Sequence, residues 1–254
     1  MADDSTTNAG ERLTKRIARA GICSRRDAEK LIADGRVALD GAPVTEQGTR
    51  ATENQIVTVD GKPIAEPEAA RLWRYHKPAG LVTTHRDEKD RPTVFAALPR
   101  HMPRVVSVGR LDVNSEGLLL LTNDGALARK LELPAAGWTR KYRARLFGRV
   151  SQADLDKLAN GRTIDGVRYG PVQAELERAK GIYAWANVSI QEGKNREVKR
   201  LMESLGLRVA RLIRVQFGPF HLGQLREGAV EEVPARLWRE ALGLGKKAKS
   251  GGRA

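Results

Sequence analysis

The sequence predicts an α+β protein in two parts. A small unit of two basic helices and a small sheet comes first, followed by a larger unit with a mixed, mostly antiparallel sheet and flanking helices. Three observations predict it. Two stretches near the start carry apolar residues at helical spacing, with basic residues elsewhere around the turn. Asp-Gly pairs at Asp40-Gly41 and Asp60-Gly61 sit beside β-branched runs, as in tight hairpins. From Leu72 onward, strand-like and helix-like stretches alternate, and the strands follow hairpin-like spacing.

Residues 1–10, "MADDSTTNAG", are polar and read as a flexible N-terminus. Residues 11–61 form the first unit. "ERLTKRIARAG" reads as a helix from Glu11 with Leu13, Ile17 and Ala20 inward, ended by Gly21. "SRRDAEKLIADG" starts with Ser24 as N-cap and Asp27 three residues later, a capping-box spacing. Ala28, Leu31 and Ile32 make its buried stripe, and Gly35 closes it. "RVALDGAPV" and "NQIVTVDGKPI" supply the strands, and residues 62–71, with Pro63 and Pro67, read as a linker.

Residues 72–243 form the larger unit. "LWRYHKPAGLVTT" is a strand running into a Pro-Gly turn, and "VVSVGRLD" is β-branched. "EGLLLLTND" is a fully apolar run of the kind buried on both faces, and "GALARKLEL" is helical. In "KYRARLFGRV" alternation puts Tyr142 and Ala144 on one face, Lys141 and Arg143 on the other. "SQADLDKLANG" opens with a second capping box, Ser151 and Asp154. Further strands are expected at 171–178, 182–191 and 207–216. "EGKNREVKRLMESLG" reads as a helix with Val198, Leu201, Met202 and Leu205 inward. Arg196, Lys199, Arg200 and Glu203 form a second row on that helix. Residues 244–254 read as a basic, disordered tail.

Composition narrows the function. The chain has 45 Lys and Arg against 31 Asp and Glu, a formal net charge of +14, which favours a polyanionic partner. No apolar run is long enough to span a bilayer and no signal peptide opens the chain, so nucleic acid in the cytoplasm is preferred to a membrane. Cys23 is the only cysteine, which excludes an intramolecular disulfide and suits a reducing compartment. His76, His85, His101 and His221 are scattered without metal-ligand spacing, and no phosphate-binding glycine motif is present. Neither a metal nor a nucleotide cofactor is expected, so chemistry would run on ordinary side chains.

Asp112, in "GRLDVNSEGLLLLTNDG", stands on the loop between two strands. A basic residue of the 196–203 row could pair with it, and an opposite charge favours an ionised carboxylate. An ionised, oriented Asp suits covalent or general-base work at a sugar carbon. Taken singly, Asp112 also suits a turn, Tyr142 suits core packing, and the charged row suits a solvated helix face. Spacing alone stops at an RNA-binding α+β protein.

The motifs go further. "RLTKRIARAGICSRRDAEKLIADGRVALDGAPV" resembles the S4 RNA-binding domain, which implies RNA contacts among Arg12, Lys15, Arg16, Arg19, Arg25 and Arg26. "GRLDVNSEGLLLLTNDG" resembles the active-site motif of the RsuA/RluB-type pseudouridine synthases. "KPAGLVTT", "KYRARLFG", "EGKNREVKRLMESLG" and "RLIRVQFGPFHLGQL" resemble its other motifs in the same order, so the likeness runs from about Glu11 to about Leu242. Ser115-Glu116 departs from the Thr-Ser that many relatives carry; Ser115 keeps the hydroxyl.

The resemblance implies isomerisation of a uridine in structured RNA to pseudouridine, without cofactor. It implies Asp112 as catalytic carboxylate, by attack at C1′ or by removing a sugar proton. Tyr142 would stack on the flipped uracil and Lys199 would pair with Asp112, Arg200 being the nearest rival. Arg110 would help hold the flipped nucleotide's place. Lys194, Asn195, Arg196 and Arg214 are further RNA or loop contacts. "RLIRVQFGPFHL" is closer to the large-subunit, RluB-like branch, which points to large-subunit ribosomal RNA or an assembly intermediate as partner of a monomeric enzyme. A synthase acting on small-subunit or transfer RNA remains open. So does a non-enzymatic ribosome-binding or assembly factor, which would leave Asp112, Tyr142 and Lys199 unused.

Overall fold

The computed structural model describes residues 10–133 and 137–244. The expected N-terminal segment up to residue 9 and the tail after residue 244 lie outside the described residues. The chain divides into two compact units, one of residues to Ala70 with Asn123–Gly125, the other of Arg71–Thr122 with Ala126 onward.

In the first unit, β1 (Glu11–Arg12) leads directly into α1 (Leu13–Arg19), followed by α2 (Arg25–Ala33), β2 (Val37–Leu39), β3 (Ala42–Pro43), β4 (Arg50–Ala51), β5 (Val57–Val59) and β6 (Lys62–Pro63). The first helix therefore starts two residues later than its sequence suggests, because Glu11 and Arg12 pair antiparallel with Ala51 and Arg50. Ala20, expected inward, is the half-buried C-cap. The Ser24 hydroxyl accepts from the Asp27 amide at 3.1 Å, which fixes the start of α2. Asp40 and Gly41 both have positive φ (52° and 85°), as a two-residue type I′ hairpin requires. Lys62–Pro63, placed in the linker by composition, pair with Val59 and Thr58 as the closing strand. Leu13, Ile17, Ala28, Ile32, Val37, Ala51, Val57 and Val59 form one apolar core.

The second unit carries β7 (Leu72–Lys77), β8 (Val106–Ser107), β9 (Ser115–Thr122), α3 (Gly125–Glu132), β10 (Arg140–Phe147), α4 (Gln152–Asp156), β11 (Arg162–Ile164), β12 (Val167–Tyr169), β13 (Gln173–Lys180), β14 (Tyr183–Ile190), α5 (Glu197–Glu203), β15 (Arg208–Phe217), β16 (Phe220–His221), β17 (Val230–Val233) and α6 (Ala235–Ala241). Its main sheet runs β13-β14-β10-β15-β9-β7-β17, with β16 on β15 and β8 on β9. Only the β15–β9 pair is parallel among the described strands; the other ladders are antiparallel.

All eight residues of β9 are buried, since β15 and β7 flank it and both its faces are covered. That position explains why "SEGLLLLT" shows no alternation. By contrast β10 alternates, with Tyr142, Ala144 and Leu146 buried toward the core. Ser151 and Asp154 complete the capping box of α4. The hairpin β11–β12, the edge strand β17 and the helix α6 are not legible in the periodicity. β17 reads "VEEV", with two exposed glutamates on a strand paired only with β7.

Candidate active site

The turn that carries Asp112 is held from three sides. Gly109 turns the chain with φ +67° before Arg110. Thr83 Oγ1 donates to the Leu111 carbonyl at 2.9 Å and accepts from the Leu111 amide at 3.4 Å. The Ser115 amide donates to the Asp112 carbonyl at 3.0 Å. Beneath the turn lies Lys77, the fully buried last residue of β7. Its Nζ donates to the carbonyls of Pro78 (2.9 Å), Val113 (3.1 Å) and Ser115 (2.9 Å). Burial pulls the Lys77 pKa down to about 8, opposed by the nearby carboxylates of Asp112 and Glu116.

With its backbone fixed, Asp112 presents a carboxylate that is 32% exposed, and Lys199 Nζ donates to Oδ2 at 2.8 Å. Lys199 belongs to α5 and is only 8% exposed, so the charged row of that helix is not simply a solvated face. The helix begins at Glu197, later than "EGKNREV" suggests. Arg196 caps it in the left-handed region (φ 52°), so Lys194 and Asn195 belong to the preceding loop. That loop is tied by the Glu197 carboxyl, whose Oε2 accepts from the Lys194 amide at 2.9 Å. Among the described residues Glu197 Oε1 is buried without a hydrogen-bond partner. Burial raises the Glu197 pKa to about 7, with the Lys194 amide opposing it.

One register row crosses the sheet through Lys77, Gly117, Arg214 and Tyr142, on β7, β9, β15 and β10. Arg214 and Tyr142 are 3% and 8% exposed. Together with the Asp112 turn and the 190–199 segment they line a cleft of about 1050 Å³.

Asp112, Tyr142 and Lys199 therefore share one cleft, with Arg110, Lys194, Asn195, Arg196 and Arg214 on its walls. Arg200 is half-buried and does not line it, so Lys199 and not its neighbour meets Asp112. Arg196 also pairs with Glu203 at 3.7 Å, and Lys194 bonds to Glu192 and the Arg168 carbonyl. In the first unit, Lys15 and Arg19 share the Glu11 carboxylate, and Arg16 donates to the Thr52 carbonyl at 2.6 Å. Arg12, Arg25 and Arg26 are exposed. Sequence reasoning missed Lys77, Thr83, Arg140 and Glu197. Lys77 had a faint signal, a lysine at the inward position of an alternating strand directly before Pro78. Glu116, where the motif departs from many relatives, is buried and holds Arg211 through both its oxygens.

The model of a family described as RNA pseudouridylate synthase matches residues 71–204. The chain belongs to that family. A second family model, the S4 domain, matches residues 11–57. An uncharacterized RNA pseudouridine synthase of Rickettsia felis is 46% identical over 227 residues, covering 89% of this chain and 98% of its own. Ribosomal large subunit pseudouridine synthase B of Pseudomonas aeruginosa is 42% identical over 248 residues, covering 92% of this chain and 63% of its own. A crystal structure of a pseudouridylate synthase superposes with a TM-score of 0.64 at 25% identity, over 91% of this chain and all of that one. This chain is thus an RNA pseudouridine synthase with an N-terminal S4 domain, as the ordered motifs led one to expect. The α+β fold class is likewise borne out. Among the described residues no helix is long and apolar enough to cross a membrane.

Proposed function

We propose that this synthase isomerises one uridine of large-subunit ribosomal RNA, with Asp112 as its catalytic carboxylate. The observation that carries the reading is the Asp112–Lys199 pair in a cleft walled by Tyr142. Lys199 engages Oδ2 only, and among the described residues Oδ1 has no protein partner, so one oxygen is free to act on the ribose. The reaction breaks C1′–N1, turns the uracil while it is held and joins C5 to C1′, with the C5 proton lost and one gained at N1. Tyr142 supplies an aromatic face for the turned base, and Arg110, exposed beside the acid, steadies the strand from which the nucleotide is flipped. Exposed Arg12, Arg25 and Arg26 of the S4 domain anchor the surrounding RNA by phosphate contacts. The large subunit is favoured because the relative in Pseudomonas aeruginosa carries that substrate in its name.

The test is pseudouridine mapping of ribosomal and transfer RNA from cells lacking the protein, complemented with wild type or Asp112→Asn. One large-subunit uridine should lose its mark and regain it only with wild type. A mark lost from small-subunit or transfer RNA would move the substrate. Full restoration by Asp112→Asn would remove Asp112 from the chemistry.

A further inference from the structure

Arg214 presents a problem of charge. A guanidinium taken out of water normally finds a carboxylate, because its desolvation is otherwise uncompensated. Arg214 is 3% exposed, yet among the described residues it donates only through Nε, to the Leu118 carbonyl at 2.7 Å. Its Nη2 is buried with no hydrogen-bond partner among the described residues. Among the described residues no carboxylate forms an ion pair with it. The guanidinium lies 5.2 Å from the Phe217 ring centre, and Arg140 lies 4.8 Å from the same ring. Among the described residues Arg140 makes no ion pair with a carboxylate either, although Glu197 and Glu132 stand near enough to act on its charge, and it spends Nη1 on the carbonyls of Trp138 and Gln191. Burial, and then the charge of Arg214, pull the Arg140 pKa down, while the Tyr142 phenol and the carboxylates of Glu197 and Glu132 oppose them. Two cations thus share one aromatic ring beside Tyr142, in the cleft wall. Among the described residues Arg214 is the cation of this wall whose counter-charge is left to be supplied.

The reaction supplies one. When C1′–N1 breaks, the bonding electron pair leaves with the base, and negative charge spreads over N1, O2 and O4 of the uracil. The charge disappears again when C5 bonds to C1′, and the C5 proton then departs as N1 gains one, which leaves neutral pseudouridine. We propose that Arg214 is a further catalytic residue, which stabilises the detached uracil anion, and that Arg140 reinforces the positive field behind it. This rests on the reading of the cleft as the uridine site. A fixed cation in a water-poor wall acts on charge that develops during the reaction and little on the neutral starting base. A backbone phosphate, in contrast, is charged throughout and would be held equally before and after cleavage.

The experiment uses the full chain, excess enzyme and the RNA carrying the mapped uridine, with C1′–N1 cleavage read by nuclease digestion and mass spectrometry. Arg214→Gln should slow single-turnover cleavage about 10²-fold or more, with RNA affinity held within about threefold. Arg214→Lys, which keeps the charge, should recover part of the rate. Replacing the target by 5-fluorouridine makes the base a better leaving group, so the Arg214→Gln deficit should shrink on that RNA. Arg140→Gln, whose ring partner Phe217 and strand remain, should repeat the pattern more weakly. An affinity loss as large as the rate loss would overturn the proposal in favour of a phosphate contact. An equal deficit on uridine and 5-fluorouridine would overturn it in favour of a structural role. Wild type that cleaves no RNA would instead remove the functional reading itself, and the proposal with it.

Discussion

Gly117 faces Arg214 across the parallel β9–β15 ladder so closely that a Cβ on Gly117 would lie 2.3 Å from the Arg214 carbonyl oxygen. The contact is backbone to backbone, and Gly117 also has φ +98°, a conformation that side chains resist. Gly117→Ala should therefore cost about 3 kcal/mol or more, well above a typical single substitution. Chemical denaturation of the two proteins measures it. A loss below about 1 kcal/mol would mean that the two strands can separate locally without cost.

Lys77 answers three carbonyls at the base of the Asp112 turn. Lys77→Met leaves them unpaired in a dry environment and should destabilise by roughly 2 kcal/mol or more. It should also lower activity, because the Asp112 backbone loses its support. The pH dependence has a definite sign. With the native pKa near 8 and the ordinary value 10.5, the unfolded chain holds a proton in that interval that the native protein has released. Wild-type stability should therefore rise with pH through that interval relative to Lys77→Met. Unfolding curves that run parallel for the two proteins would contradict it.

Glu197 behaves in the opposite sense. Its native pKa of about 7 stands above the ordinary 4.5, so between these values the native protein holds a proton that the unfolded chain lacks. Stability contributed here is lost as pH rises through that window. Glu197→Gln keeps an acceptor for the Lys194 amide and removes the buried charge, with Glu192, Lys194 and Arg140 as the other charged neighbours. Relative to wild type, the variant should gain roughly 2–4 kcal/mol on going from acid to neutral pH, read by thermal or denaturant unfolding at both ends.

The S4 domain separates binding from support. Arg25→Ala with Arg26→Ala removes two exposed charges and should weaken RNA binding while lowering the salt slope by about 1–2. Arg16→Ala should instead cost about 1 kcal/mol of stability with little change in slope, since Arg16 braces the carbonyls of Thr52 and Glu53. Filter binding across a salt series, beside melting curves, distinguishes the two.

Much of this was legible in the residues themselves. The Ser24 and Ser151 caps, the Asp-Gly hairpins and the alternation that turns Tyr142 inward are local, and the chain obeys them. The Asp112–Lys199 contact was anticipated as one of several pairings, because a helix row offers three basic residues and periodicity does not choose among them. Lys77, Arg140 and Glu197 stayed invisible for a different reason. Their burial comes from segments distant in the chain, so it cannot be read from neighbours in sequence. The start of α1 moved because Glu11 and Arg12 found strand partners 40 and 38 residues further on, at Ala51 and Arg50.

Asp112 and Lys199 stand 87 positions apart, one on a turn between β8 and β9, the other on the helix that precedes β15. Hairpins form early because their loops are short, whereas β9 and β15 pair in parallel only after the intervening chain is in place. The Asp112–Lys199 contact should therefore be among the last to form, and with it the activity proposed for this cleft. A nascent or partly refolded molecule is then expected to hold RNA through a finished S4 domain and still be inert toward it. On refolding, RNA binding should return ahead of turnover, and the delay between them is a clock on closure of that one ladder.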